Sequence, residues 1–225
     1  MKKFNILAII AAVVLAFTVF SQNTNANTIP FTDVKAADQL EAITILYNED
    51  IVFGATDTLF KPNAAATRGE TAQMIVNALN WQGEDATNPG FTDVSGKYAN
   101  AVYILANKEI VKIPEDGKFK PNGTLTRSQI SKMLTLAFNL EQSTKTTSNF
   151  IDVKKDKLGA ETVIYINTLV DYEITKGTAI KGTNDVAFNP NKSMTRGQLA
   201  LFLKRSIDAV DNADDSEDFE IIGIE

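Results

Sequence analysis

The feature that most narrows the possible folds is a threefold repeat. A tag of the form Phe-x-Asp-Val occurs as Phe31-Thr32-Asp33-Val34, Phe91-Thr92-Asp93-Val94 and Phe150-Ile151-Asp152-Val153, so successive tags lie 60 and 59 residues apart. Each tag is followed by a second phrase: FKPNAAATRGE from Phe60 to Glu70, FKPNGTLTRSQ from Phe119 to Gln129, and FNPNKSMTRGQ from Phe188 to Gln198. A period of this size marks stacked supersecondary units, none of which can bury its apolar face alone. No single unit should therefore fold by itself.

The end of the second phrase has a legible physics. Thr67, Thr126 and Thr195 are good N-cap residues, and Glu70, Gln129 and Gln198 follow three positions later, which makes a capping box at the start of each second helix. Arg68, Arg127 and Arg196 then occupy the first helical position, where the macrodipole is positive and a cation is mildly unfavourable. Three arginines in one register suggest that positive charge is wanted there. A guanidinium beside a helix N-terminus makes an anion site. Because such an arginine opposes the dipole, replacing it is expected to cost little stability.

Hydrophobic spacing fills in the rest of each unit. Unit one should carry helices over residues 37–48 and 68–80, with Gly54 as a left-handed turn residue between them. Unit two should carry helices over 97–108 and 127–140, and unit three over 158–172 and 196–210. Val163-Ile164-Tyr165-Ile166 is apolar all round, which indicates burial on most sides. The polar stretches QGEDATNPG and EQSTKTTSN read as linkers between units. Unit three has about five extra residues in its connecting loop, between Thr178 and Val186, an insertion of little thermodynamic consequence. The expected fold class is all-α: three tandem helix-loop-helix repeats over 29–82, 90–141 and 149–208, forming one domain.

Composition closes off several chemistries. With no cysteine and no histidine, disulfides, thiol nucleophiles, histidine triads and Cys/His zinc sites are excluded. Net charge is −6, and −8 once Lys2 and Lys3 are removed with a leader, so nucleic acid is not an expected partner. Residues 1–26 have the look of a secretory signal, with Lys2 and Lys3 before an apolar run and a small residue, Ala26, at the end. Cleavage would place the mature chain outside the cytoplasm and free of the membrane. Residues 211–225 form an acidic tail. It lacks the alternating ligands and central glycine of a calcium loop, so no metal is expected, and it reads as a solvated, disordered end.

The tags, the Phe-x-Pro-Asn turns and the Thr-Arg-x-Glu/Gln boxes together resemble the S-layer homology (SLH) module, in three tandem copies over about residues 29 to 208. That resemblance implies a pseudo-threefold helical domain with grooves between neighbouring modules. It further implies non-catalytic binding of a secondary cell-wall polysaccharide, often one ending in a pyruvylated amino sugar, at the envelope of a Gram-positive or related bacterium, with no cofactor. Carried over by position, the groove arginines are Arg68, Arg127 and Arg196, and the tag aspartates are Asp33, Asp93 and Asp152. The aspartates either meet sugar hydroxyls or bond a turn. The family's Gly-Ile-x-x-Gly-x-x-Asp-Gly turn survives in part: Gly54 and Asp57 in unit one, Asp116 and Gly117 in unit two, Gly177 in unit three. Unit two has Lys112 and Ile113 in mid-turn, so the groove its turn serves is expected to be the weakest, and Arg68 is expected to matter more than Arg127. The tag phenylalanines and Phe60, Phe119 and Phe188 read as core, and Trp81 suits packing and stacking equally.

Two other functions compete. A structural subunit could self-assemble in a surface layer, with other S-layer proteins as partners. A hydrolase could use a carboxylate pair such as Asp33 and Glu70, but Gln129 and Gln198 stand at the Glu70 position in the other units. The repeats fill the chain between leader and tail, leaving 15 tail residues that are not expected to form an effector domain.

Overall fold

The computed structural model describes residues 28–220, with side chains to residue 212; the expected leader lies outside the described residues. The described chain is helical: α1 (Ala37–Asn48), α2 (Arg68–Ala78), α3 (Ala99–Asn107), α4 (Arg127–Ala137), α5 (Lys155–Leu158), α6 (Ala160–Asp171) and α7 (Arg196–Glu220). A 3₁₀ turn at Gly96–Tyr98 leads into α3. The extra loop of unit three closes as a small hairpin, with Thr178 paired to Ala187 and Ala179 to Val186.

Each first helix stops at a left-handed residue, which frees the chain to turn back. That residue is Asp50 (φ 56°), Glu109 (φ 59°) or Glu173 (φ 54°). In unit one the N–H of Ile51 reaches Leu46 O and that of Asp50 reaches Tyr47 O, a Schellman-type closure repeated at Ile110 and Glu109. Gly54 does not play this part. Its φ is not positive, and its lack of a side chain serves packing instead: a Cβ there would lie 2.5 Å from the Phe31 ring and 2.3 Å from Thr56 O. Gly177 meets Phe150 in the same way at 2.4 Å, and unit two places the exposed Ile113 at this point.

The tag and the second phrase are joined within every unit. Asp33 accepts from the backbone N–H groups of Phe60 (2.9 Å) and Lys61 (2.7 Å). Asp93 does the same for Phe119 and Lys120, and Asp152 for Phe188 and Asn189. The second residue of each pair is left-handed, with φ near 60° at Lys61, Lys120 and Asn189. A carboxylate with one oxygen on each of two successive N–H groups holds that unusual turn. Behind it the phenylalanine rings pack in pairs, Phe31 on Phe60, Phe91 on Phe119 and Phe150 on Phe188, at 5.5 to 5.6 Å between ring centres. All six are buried, so the phenylalanines are core. Full burial of such a ring stabilises by roughly 1.5–3 kcal/mol.

The units close into a ring. The second helix of each packs on the first helix of the next: α2 on α3, α4 on α6, and α7 back on α1. Backbone bridges follow the same cycle, Thr67 to Thr124, Thr126 to Ser193, and Ala65 to Thr195. At the seam from unit three to unit one, Arg196 N–H donates to Ala64 O and Gly197 N–H to Pro62 O. This pseudo-threefold closure lets three pairs of short helices share one core.

Three local expectations are corrected. The first helix of unit three breaks at Gly159 (φ 83°), separating α5 from α6. The second helices of units one and two end at Ala78 and Ala137, just before left-handed Asn80 and Asn139. Finally, α7 runs to Glu220, through the first part of the acidic tail expected to be disordered from Asp211; the rest of that tail, 221–225, lies outside the described residues. A helix already nucleated and packed upstream gains one hydrogen bond for each added residue, and no glycine or proline intervenes before Gly223.

Candidate functional site: three arginine grooves between neighbouring units

All three capping boxes form. The hydroxyls of Thr67, Thr126 and Thr195 accept from the N–H groups of Glu70, Gln129 and Gln198, whose side chains accept in return from the threonine N–H groups. These boxes fix the backbone at the three arginines and aim each side chain across a unit boundary. Arg68 Nε donates to Phe119 O of unit two at 2.5 Å, Arg127 Nε to Phe188 O of unit three at 2.6 Å, and Arg196 Nε to Phe60 O of unit one at 2.8 Å. Each guanidinium also lies over the ring of that phenylalanine, 4.6 to 4.7 Å from its centre, a cation–π contact. Every arginine thus reads the next unit's Phe-x-Pro-Asn turn, itself held by the next unit's aspartate.

The surroundings then diverge. Arg196 is 2% exposed. Its Nη1 pairs with Glu70 Oε1 at 2.7 Å and its Nη2 donates to Phe53 O at 2.5 Å. The Phe53 ring covers it at 5.6 Å and stacks in turn on Tyr98. Burial lowers the pKa of Arg196, and the charge of Glu70 acts against that shift. Arg127 is also buried, with Phe202 closing over it at 5.2 Å. Arg68 alone is half-buried. It opens on a groove of about 230 Å³ lined by Val111 and Lys112 of unit two's turn, by Phe119, and by Gln129, Lys132 and Met133 of α4. Burial lowers its pKa as well, with Asp93 opposing.

Counting from the left-handed residue explains the difference between Arg196 and Arg68. Phe53 stands three positions after Asp50, and the same position in unit two is Lys112, three after Glu109. A lysine reaches into solvent where the phenylalanine folds down as a lid. The groove served by unit two's turn, expected to be the weakest, is therefore the one the fold leaves open. Arg127 and Arg196 lie inside the domain rather than on its surface, which argues against their removal at little cost to stability.

The other expected residues fall elsewhere. Asp33, Asp93 and Asp152 are braces for the turns on which the arginines rest. For Asp93, burial acts to raise the pKa but the N–H groups of Phe119 and Lys120 hold it below the usual carboxylate range. Gly54 and Gly177 press against the tag phenylalanines. Gly117 O accepts from Thr92 N–H, and Asp116 caps its own turn through Lys118 N–H. Asp57 is exposed, and neither Asp116 nor Gly117 lines the groove beside Arg68. Trp81 packs beside the core with Lys108 Nζ 4.3 Å above its ring. Lys112, Lys132 and Gln129 went unnoticed as groove residues, although the box glutamine could have been found by asking which unit its arginine faces.

The family model described as "S-layer homology domain" matches three segments, 30–72, 90–130 and 156–200. The chain belongs to the S-layer homology family. Among its relatives, a surface-layer 125 kDa protein of Lysinibacillus sphaericus is 29% identical over 184 residues, 81% of this chain and 15% of that protein. The exoglucanase XynX of Acetivibrio thermocellus is 29% identical over 182 residues, 78% of this chain and 16% of its own length. A cellulosome-anchoring protein of the same species is 28% identical over 162 residues, 67% and 34% respectively. The SLH repeats thus match a minor part of each relative, and the three relatives carry different names around a shared segment.

Proposed function

We propose that this SLH protein is a non-catalytic binding module of the cell surface, and that it holds a secondary cell-wall polysaccharide through a carboxylate on the glycan, a pyruvyl ketal being the simplest such group. Anchoring to the envelope is the role that its relatives' names, surface-layer and cellulosome-anchoring, support. The carrying observation is Arg68. It is a half-buried guanidinium with no carboxylate in hydrogen-bond reach among the described residues, at the mouth of an open groove with Lys112 beside it. A carboxylate entering there would gain paired, charge-assisted hydrogen bonds in a partly desolvated site.

Binding of the full chain to purified cell walls tests this. Arg68→Ala should weaken retention roughly tenfold or more, since one hydrogen bond to a charged group is worth about 1.5–3 kcal/mol. Arg127→Ala should do less, because Phe202 already covers that arginine. Walls from a strain lacking the pyruvyl group should retain little protein. Equal retention of parent and Arg68→Ala, or equal retention on both kinds of wall, would refute the reading.

A further inference from the structure

The three capping boxes are alike except at their last residue, and the ring places that residue opposite the arginine of the preceding unit. Glu70 has two carboxylate oxygens and divides them. Oε2 accepts from Thr67 N–H at 3.0 Å and closes the cap, while Oε1 accepts from Arg196 at 2.7 Å. Gln129 has one acceptor oxygen, which accepts from Thr126 N–H at 2.9 Å. Its remaining polar atom is Nε2, a donor, which cannot pair with a guanidinium. Gln129 and Arg68 line the same groove. Gln198 likewise commits its oxygen to Thr195 N–H, and among the described residues only Arg196 of the three arginines has an ion-pair partner.

We propose that the Glu-or-Gln choice at the end of the capping box decides whether the arginine facing it is already neutralised, and so whether an otherwise open groove accepts an acidic ligand: Glu70 supplies Arg196 with an internal carboxylate, and Gln129 leaves Arg68 to an external one. The inference rests on the acidic-glycan reading above and adds its selectivity determinant. Glu70 occupies the place on Arg196 that a ligand carboxylate would need, so the third groove is already neutralised from within. In the first groove the amide keeps the cap intact without cancelling the charge. One atom, a carboxylate oxygen in one unit and an amide nitrogen in the next, separates an arginine whose charge is answered from within from one whose charge is not.

The test is Gln129→Glu in the full chain. Glu70 performs both tasks in unit one, so the variant should keep its cap and melt no lower than the parent. The probe is a disaccharide ending in a pyruvyl-ketal amino sugar, titrated calorimetrically beside the methyl ester of the same ketal. Gln129→Glu should weaken binding of the acid at least tenfold and leave that of the ester within about threefold. Arg68→Ala is measured in parallel. If Arg68→Ala loses the acid but Gln129→Glu binds it like the parent, the inference fails while the acidic-glycan reading stands. Equal loss of acid and ester in Gln129→Glu would also overturn it. If Arg68→Ala binds the acid like the parent, the groove reading falls and this inference with it.

Discussion

Arg196→Ala is the substitution that most directly probes how the ring is held shut. Arg196 begins α7 in unit three, and all three hydrogen-bond partners of its side chain, Phe60 O, Glu70 Oε1 and Phe53 O, belong to unit one. The contact to Phe60 joins residues 136 apart in sequence, so it draws together the two ends of the repeat array. Alanine would leave two carbonyls unpaired beneath Phe53 and a carboxylate without its counter-ion. Breaking a buried ion pair from one side costs about 3–5 kcal/mol. The Glu70 side chain keeps 17% exposure and can recover some hydration, so the lower end, about 3 kcal/mol, is expected. In a domain of this size each kcal/mol lowers Tm by about 2–4 °C, giving a fall of roughly 6–12 °C. Arg68→Ala removes one hydrogen bond from a half-exposed side chain, and about 1 kcal/mol, or roughly 2–4 °C, should follow. Scanning calorimetry of the two variants beside the parent measures both. Arg196→Ala melting within 2 °C of the parent, or the two variants falling equally, would refute the assignment of Arg196 to the seam.

Asp93→Asn should destabilise the domain, because Phe119 and Lys120 use different carboxylate oxygens and the amide would set an NH2 donor against one of those N–H groups; urea midpoints at neutral pH would show it. The same carboxylate sets a pH dependence. Its folded pKa is lowered, so its contribution is present above the unfolded value near 3.9 and is lost as pH falls through the folded value, and the gap between variant and parent should narrow below about pH 4. The chain from residue 27 to 210 should unfold in one cooperative transition, whereas a fragment ending at Gln82 should show none by circular dichroism, since α2 would lose its neighbour α3 and α1 its neighbour α7.

Much of this architecture was legible in the order of residues. The three tags and three boxes gave the number of units, and threonine followed three positions later by glutamate or glutamine gave the helix starts to the residue. Helix ends were harder. Asp50, Glu109 and Glu173 adopt a left-handed conformation with no glycine to announce it, because the pull of Ile51, Ile110 and Ile174 into the core overrides a local cost of about 1–2 kcal/mol. The same bias toward local signals made Gly54 look like the turn residue, when its absent side chain makes room for Phe31.

The site was half legible, and the missing half lies in the ring. Position along the chain marks Arg68, Arg127 and Arg196 as equivalent, each first in its helix and each an anion-site candidate. Within one unit nothing contradicts that, since the residues that bury or expose each arginine come from the following unit. Arg196 is sealed by Phe53 and Glu70, which precede it by more than 120 residues, whereas Arg68 meets Lys112 and Gln129. The cyclic register converts three copies of one motif into three environments. It also means that a family motif missing from unit two's turn bears on the arginine of unit one. Once the register is known, the contrast between Arg68 and Arg196 becomes readable in the sequence: the residue three after the left-handed turn, Lys112 or Phe53, and the last residue of the capping box, Gln129 or Glu70, both come from the next unit, while Arg127 takes its cover from Phe202 of α7.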